Sequence, residues 1–171
     1  QAHAVIDGRT TMGDGNEVFS FSCLGKISQD LKYRDDMVTY TRIGDNNTFR
    51  EYTTVHAASI DGESTVIGNN CLVLAYSHVA HDCILGNNVI ISSAVMIAGH
   101  VTIDDNAIIN GMSGAQQFTH IGRFAFIGGT NKVIKDILPF CIADGNPSVP
   151  RAINKIGMER NGFSDDQIRI V

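Results

Sequence analysis

Tryptophan is absent from the 171 residues, aromatics make up only 7%, and no run of lysines or arginines occurs in a chain of formal net charge −5. A nucleic-acid surface needs clustered basic residues and aromatic platforms, so that class of partner is not expected. No stretch approaches the ~20 consecutive apolar residues of a membrane-spanning helix, and the N-terminus lacks a basic region followed by an apolar one. Membrane insertion is therefore not expected either. Gln1 is no natural start and the chain reads like a cut from something longer, so export stays open on this evidence. Cys23, Cys71, Cys83 and Cys141 form no Cys-x-x-Cys pair and no dense framework, which argues against a zinc knuckle and a disulfide-stapled scaffold. They read as small core residues in a reducing compartment. The absence of a Gly-x-Ser-x-Gly string counts against a serine hydrolase.

What is present is a period of six. From Ile67 the chain gives Val73, Val79, Leu85, Ile91, Ile97, Ile103, Ile109, Ala115, Ile121, Ile127 and Val133, all but Ala115 being aliphatics larger than alanine. Four positions after each anchor the residue is usually small or β-branched, as at Cys71, Val89, Ala107 and Ala125. Gly68-Asn69-Asn70, Gly86-Asn87-Asn88, Asp104-Asp105-Asn106 and Gly122-Arg123-Phe124 begin 18 residues apart. Glycine, asparagine and aspartate tolerate the sharp corners that such a spacing requires. Six fits neither a helix nor one alternating strand; it fits a short strand plus a corner, three of which close a triangular coil. Coils then stack about 4.8 Å apart with parallel hydrogen bonding along the axis. Residues 67 to 138 make four such coils. Six-residue repeats of this kind resemble the left-handed hexapeptide solenoid, and that hand is adopted from the resemblance.

Before residue 67 the register is interrupted. Ile6, Met12, Val18 and Leu24 form one run, and Ile43, Phe49 and Val55 another. The expected organisation is a left-handed parallel β-helix over residues 1–138 with loops projecting at about 25–42 and 56–66. Residues 139–171 then form an exit loop and the start of a C-terminal helical region, with a helix-like piece at Ser164-Asp165-Asp166. Solenoid insertions commonly project from the binding face. An exposed sheet edge and a triangular cross-section suggest a homotrimer.

Polar residues that break the core pattern carry the chemistry. His78, His81 and His100 fall in two neighbouring coils, and His81, Gly99 and Gln117 share one phase of the 18-residue period. They should stack in a column, with Gly99 beside His81. A neutral imidazole there serves as general base, Asp82 orients it, and the Gly99 N–H stabilises an oxyanion. Coil histidines can also merely ladder or meet a neighbouring subunit, and three histidines can hold a catalytic zinc. The projecting Gln29-Asp30-Leu31-Lys32-Tyr33 reads either as a solvated loop or as Lys32 for a phosphate and Asp30 for a sugar hydroxyl.

The strings Ser28-Gln-Asp-Leu-Lys-Tyr33, His78-Val-Ala-His-Asp-Cys83, Ile97-Ala-Gly-His100, Gln117-Phe118, Asp144-Gly-Asn146 and Arg160-Asn-Gly-Phe163 closely resemble the UDP-N-acetylglucosamine O-acyltransferases that open lipid A biosynthesis. The resemblance runs through nearly the whole chain. It implies transfer of an acyl group, typically 3-hydroxylated, from acyl carrier protein to the 3-hydroxyl of UDP-N-acetylglucosamine in a cytoplasmic homotrimer. No cofactor is implied, the phosphopantetheine thioester being a co-substrate. By motif, His81 is the base, Asp82 its partner and Gly99 the oxyanion donor. Gln29, Asp30, Lys32, His56, His78, His100 and Gln117 line the sugar and thioester cleft. Asn154 meets the nucleotide, Gly111 and Arg160 the phosphopantetheine arm, and Gly129 sits where residue size limits acyl length. The family commonly has His-Gln-Phe where this chain has Gln116-Gln117-Phe118, Asn-x-Glu where it has Asn154-Lys155-Ile156, and Asn-His where it has Asn146-Pro147. It also has further coils before this chain's first and a longer helical domain after its last. A basic patch for an acidic carrier fits the distribution of charge: six basic to five acidic residues from Lys132 onward, seven to thirteen before it. The other readings are a related enzyme with another nucleotide-sugar acceptor, a zinc enzyme of the carbonic-anhydrase type, and a trimeric scaffold without activity.

Overall fold

The computed structural model describes residues 1–171. All twelve anchors from Ile67 to Val133 are buried, none more than 4% exposed. The reason is the register: Ile67, Leu85, Ile103 and Ile121 lie in one column, Val73, Ile91, Ile109 and Ile127 in a second, and Val79, Ile97, Ala115 and Val133 in a third. The chain is a left-handed parallel β-helix of three faces. The first face carries seven strands from Val5–Ile6 to Lys132–Val133, the second six from Arg9–Met12 to His120–Ile121, and the third eight from Glu17–Val18 to Val149–Ile153. Small residues such as Cys71, Val89 and Ala107 fill the remaining core positions.

Each corner places one residue in left-handed backbone. Asn70, Tyr76, Asp82, Asn88, Ala94, His100, Asn106, Met112, Phe118, Phe124 and Thr130 all have φ between 56° and 66°. Asparagine takes this conformation at little cost; tyrosine and phenylalanine do so less readily. Stacking offsets part of that cost, since the rings of Phe21, Tyr52 and Tyr76 pile up at 5.1 and 4.9 Å. The backbone of Asp82 and His100 is thus set by the fold rather than by local strain peculiar to a site.

Stability rests on the anchor stack. Ile91 is fully buried, so Ile91→Ala should cost about 2–5 kcal/mol by urea unfolding; a loss near zero would refute the register.

The interruptions are narrower than 25–42 and 56–66. Strands Cys23–Lys26, Tyr40–Ile43, Thr54–His56 and Ser64–Ile67 extend into both ends, leaving loops of residues 27–39 and 57–63. Leu24 pairs with Val55 and Val55 with Val79, so the columns run on across the insertions. Both loops connect the first face to the second and therefore emerge from the same corner. Ile6, expected as an anchor, lies on the outermost strand of the first face and is 54% exposed.

Residues 139–153 are not an exit loop. Cys141–Asp144 adds to the third face in parallel, with Ile127 opposite Ala143, and Val149–Ile153 turns back antiparallel onto it. The pattern continues two residues early, with Ile137 bridging to Ile121 and buried beside Ala143. That slip hid the coil from a strict six-residue count. Two short helices follow: α1 (Lys155–Arg160), capped by Asn154, and α2 (Asp165–Ile170), capped by a reciprocal Ser164–Gln167 box. No helix is long and apolar enough to cross a membrane. All four cysteines are free, and burial pushes the Cys83 thiol up to about 12, so it behaves as an inert core residue.

Candidate active site

The corner between the first and second faces stacks, coil upon coil, loop 27–39, loop 57–63, His81-Asp82, Gly99-His100 and Gln117-Phe118. His81 is held at this corner with its Nδ1 2.7 Å from an Asp82 carboxylate oxygen. Its Nε2 points the other way, 3.7 Å from a carboxylate oxygen of Asp30 on loop 27–39. The ring lies against Gly99: a Cβ there would come 2.6 Å from Nε2 and 2.9 Å from Nδ1 and would also overlap Cε1. The column read from the 18-residue phase therefore exists, and glycine is what admits the ring. The Gly99 N–H makes no hydrogen bond within the chain, its neighbours Ala98 and His100 being the ones engaged along the ladder.

The ring faces a groove of about 880 Å³ along the first face. Gln29, Asp30, Lys32, His56, His78, His81, Gly99 and Gln117 all line it, so loop and coil residues that lie far apart in sequence converge. His100 does not line it. Its ring stands edge-on to His81 at 5.2 Å and stacks on Phe118 at 4.6 Å. Gly111 and Gly129 stack in the corner at the opposite margin of the first face, and Gly129 has only the Gly111 carbonyl within 4 Å of where a Cβ would stand. Asn154 and Arg160 sit on the C-terminal cap. The Asn154 carboxamide accepts from the Gly157 N–H and donates to the Phe124 carbonyl, so here it ties α1 to the coils. Sequence reasoning missed Lys132, which lines the groove, and Ser59 and Thr54, which hold site residues. Only the expectation that insertions lie on the binding face pointed toward Ser59.

Burial works against the charged form of Asp82. The Ser59 hydroxyl, the His81 ring and the Ser59 N–H outweigh it and, with the nearby His100, hold the carboxyl below its usual range. Burial, then the charge of His81, depresses His78, whose Nδ1 is 2.8 Å from the Thr54 hydroxyl. His56 is lowered to about 4, first by burial and then by His78 and His81; its Nδ1 is buried without a partner. An unfolded histidine takes up its proton near pH 6.5, whereas folded His56 does so only near 4. The unfolded chain therefore binds more protons in that window, and stability falls as pH drops from 6.5 to 4. Denaturant unfolding at stepped pH checks this, and His56→Gln should flatten the slope.

His78 does not converge with His81 and His100 within this chain. His78 turns to Thr54 and packs edge-on against His56 at 4.7 Å. The three ligand atoms that do lie within 4.8 Å of one another belong to His81, Asp82 and His100. One oxygen of that carboxylate also meets the Ser59 hydroxyl and His81 Nδ1.

The stacked six-residue coils place the chain in the hexapeptide-repeat class, and residues 64–98 match the model described as bacterial transferase hexapeptide (six repeats). Residues 136–171 match the second domain of UDP-N-acetylglucosamine O-acyltransferase. The acyl-[acyl-carrier-protein]–UDP-N-acetylglucosamine O-acyltransferase of Sinorhizobium fredii is 46% identical, covering 99% of this chain and 63% of its own. Among solved structures, a UDP-N-acetylglucosamine acyltransferase from Bacteroides fragilis superposes with a TM-score of 0.95 at 38% identity, over 99% of this chain and 66% of that one. LpxA from Acinetobacter baumannii gives 0.85 at 33% identity, over 99% and 77%. The chain belongs to the UDP-N-acetylglucosamine O-acyltransferase family. It spans 59 to 63% of the length of the first curated relatives it matches.

Proposed function

We infer that the protein transfers a 3-hydroxyacyl group from acyl carrier protein to the 3-hydroxyl of UDP-N-acetylglucosamine, the first step of lipid A biosynthesis. The observation that carries this reading is His81, backed by Asp82 on one nitrogen and presenting the other to a groove floored by Gly99. The names of the relatives supply the two substrates.

Asp82 accepts from Nδ1–H and so leaves Nε2 free to act as base. Nε2 takes the proton of the sugar hydroxyl as its oxygen attacks the thioester carbonyl. The tetrahedral oxyanion is stabilised by the unengaged Gly99 N–H. Collapse breaks the carbon–sulfur bond, and the His81 imidazolium returns its proton to the leaving thiolate, which departs as the phosphopantetheine thiol. Asp30, Lys32, Gln29, His56, His78 and Gln117 hold the nucleotide sugar, Asp30 standing where a sugar hydroxyl would reach Nε2. The acyl chain runs along the first face toward Gly111 and Gly129, where the small residues leave space. Asn154 and Arg160 serve the nucleotide and the phosphopantetheine arm from the cap, in a cytoplasmic homotrimer. The test is product mass from the intact protein given UDP-N-acetylglucosamine and 3-hydroxyacyl carrier proteins of graded length. A 3-O-acylated nucleotide sugar supports the reading, and no acylated product overturns it.

A further inference from the structure

Asp82 has two imidazoles to choose between. The same carboxylate oxygen lies 2.7 Å from His81 Nδ1 and 3.6 Å from His100 Nε2. The corner backbone does not choose, because it fixes only the Asp82 main chain, through a left-handed φ of 57° and an N–H donated to the Thr65 hydroxyl. What fixes the carboxylate is Ser59. Its N–H reaches both oxygens at 3.1 Å, which sets the plane of the group, and its hydroxyl donates at 2.6 Å to the oxygen that meets His81. Ser59 is 8% exposed and lies on loop 57–63, the insertion that emerges one coil before His81. The hydroxyl adds one more donor to that oxygen, and the two-point clasp keeps it from swinging toward His100.

We propose that Ser59 is a positioning residue for the base, holding the Asp82 carboxylate on His81 Nδ1 and away from His100, so that Nε2 is the nitrogen left free toward the groove. The proposal rests on the reading of His81 as general base. Ser59 touches no groove atom of its own, so its effect passes through Asp82. A hydrogen bond to an ionised acceptor is strong and directional, which suits it to hold one rotamer against a competing partner. A displacement of about 1 Å in a catalytic group lowers rate by up to about 100-fold.

The experiment compares Ser59→Ala and Ser59→Thr with the wild type in the intact protein. Steady-state kinetics give kcat and the KM for UDP-N-acetylglucosamine, and nitrogen-15 spectra of labelled histidine in the resting protein report the His81 tautomer. Ser59→Ala should lower kcat about 10- to 100-fold with KM changed less than twofold, and the His81 signal should become a mixture of tautomers. Ser59→Thr keeps the hydroxyl and should restore both readouts to within about threefold of wild type. If Ser59→Ala does not fold, Ser59→Cys, close in volume and a poor donor, takes its place with the same expected loss. An unchanged kcat and a single tautomer in Ser59→Ala would overturn the proposal, as would equal losses in the Ala and Thr variants. Were the wild type to form no acylated sugar, the functional reading would fall by itself, and the resting-state tautomer would still decide the role of Ser59.

Discussion

His81→Ala is expected to lower acyl transfer by about 10²- to 10⁴-fold while leaving the fold and its thermal transition intact. The activity loss follows from what the side chain contacts. Nδ1 is engaged by Asp82 and Nε2 faces the groove, whereas His78 is turned to Thr54 and His100 lies outside the groove, against Phe118. The stability is spared because His81 is a corner residue and not an anchor; the coil behind it is held by Val79, Cys83 and Leu85, all buried to 1% exposure or less. Product mass and a melting curve on the same preparation separate the two effects. Turnover within tenfold of wild type would remove His81 as the base, and a collapsed transition would make it a structural residue instead.

The β-helix was legible because a period of six leaves little choice: an aliphatic every sixth residue cannot be buried by a helix or by one alternating strand. Insertion limits were less legible, since Lys26, beyond an irregularity at Gly25, and Ser64-Thr65-Val66 pair as strands without offering large anchors. The coil around Ile137 and Ala143 was lost to a two-residue slip, which a fixed step treats as the end of the repeat. In the site, phase arithmetic found His81 over Gly99 because both follow the same column. It could not find Ser59, which is brought to Asp82 by a loop outside the repeat. Nor could it tell that Asp82, and not His78, would complete the group around His81 and His100, because side-chain direction at a corner depends on hydrogen bonds that spacing does not encode.

Gly99→Ala should reduce transfer by about 100-fold or more with little change in stability. Gly99 does not have the positive φ that would make alanine a backbone problem, so the cost falls on the neighbour. The added methyl would stand 2.6 Å from Nε2, well inside contact distance, and the nearest thing able to give is the imidazole, which borders open groove. Its hinge is the Nδ1–Asp82 bond, so a ring pushed into the groove loses its orientation and takes the position meant for the acceptor hydroxyl. The N–H of residue 99 survives the substitution, so the loss reports displacement of the base and not loss of an oxyanion donor. That distinction gives the variant its second measurement. If the methyl acts only through the ring, then combining Gly99→Ala with His81→Ala costs no more than His81→Ala alone, a fully non-additive cycle. An additive pair would show that Gly99 contributes to transfer independently of the imidazole it adjoins, and the open stretch of groove beside it, not the base, would then be what the glycine protects.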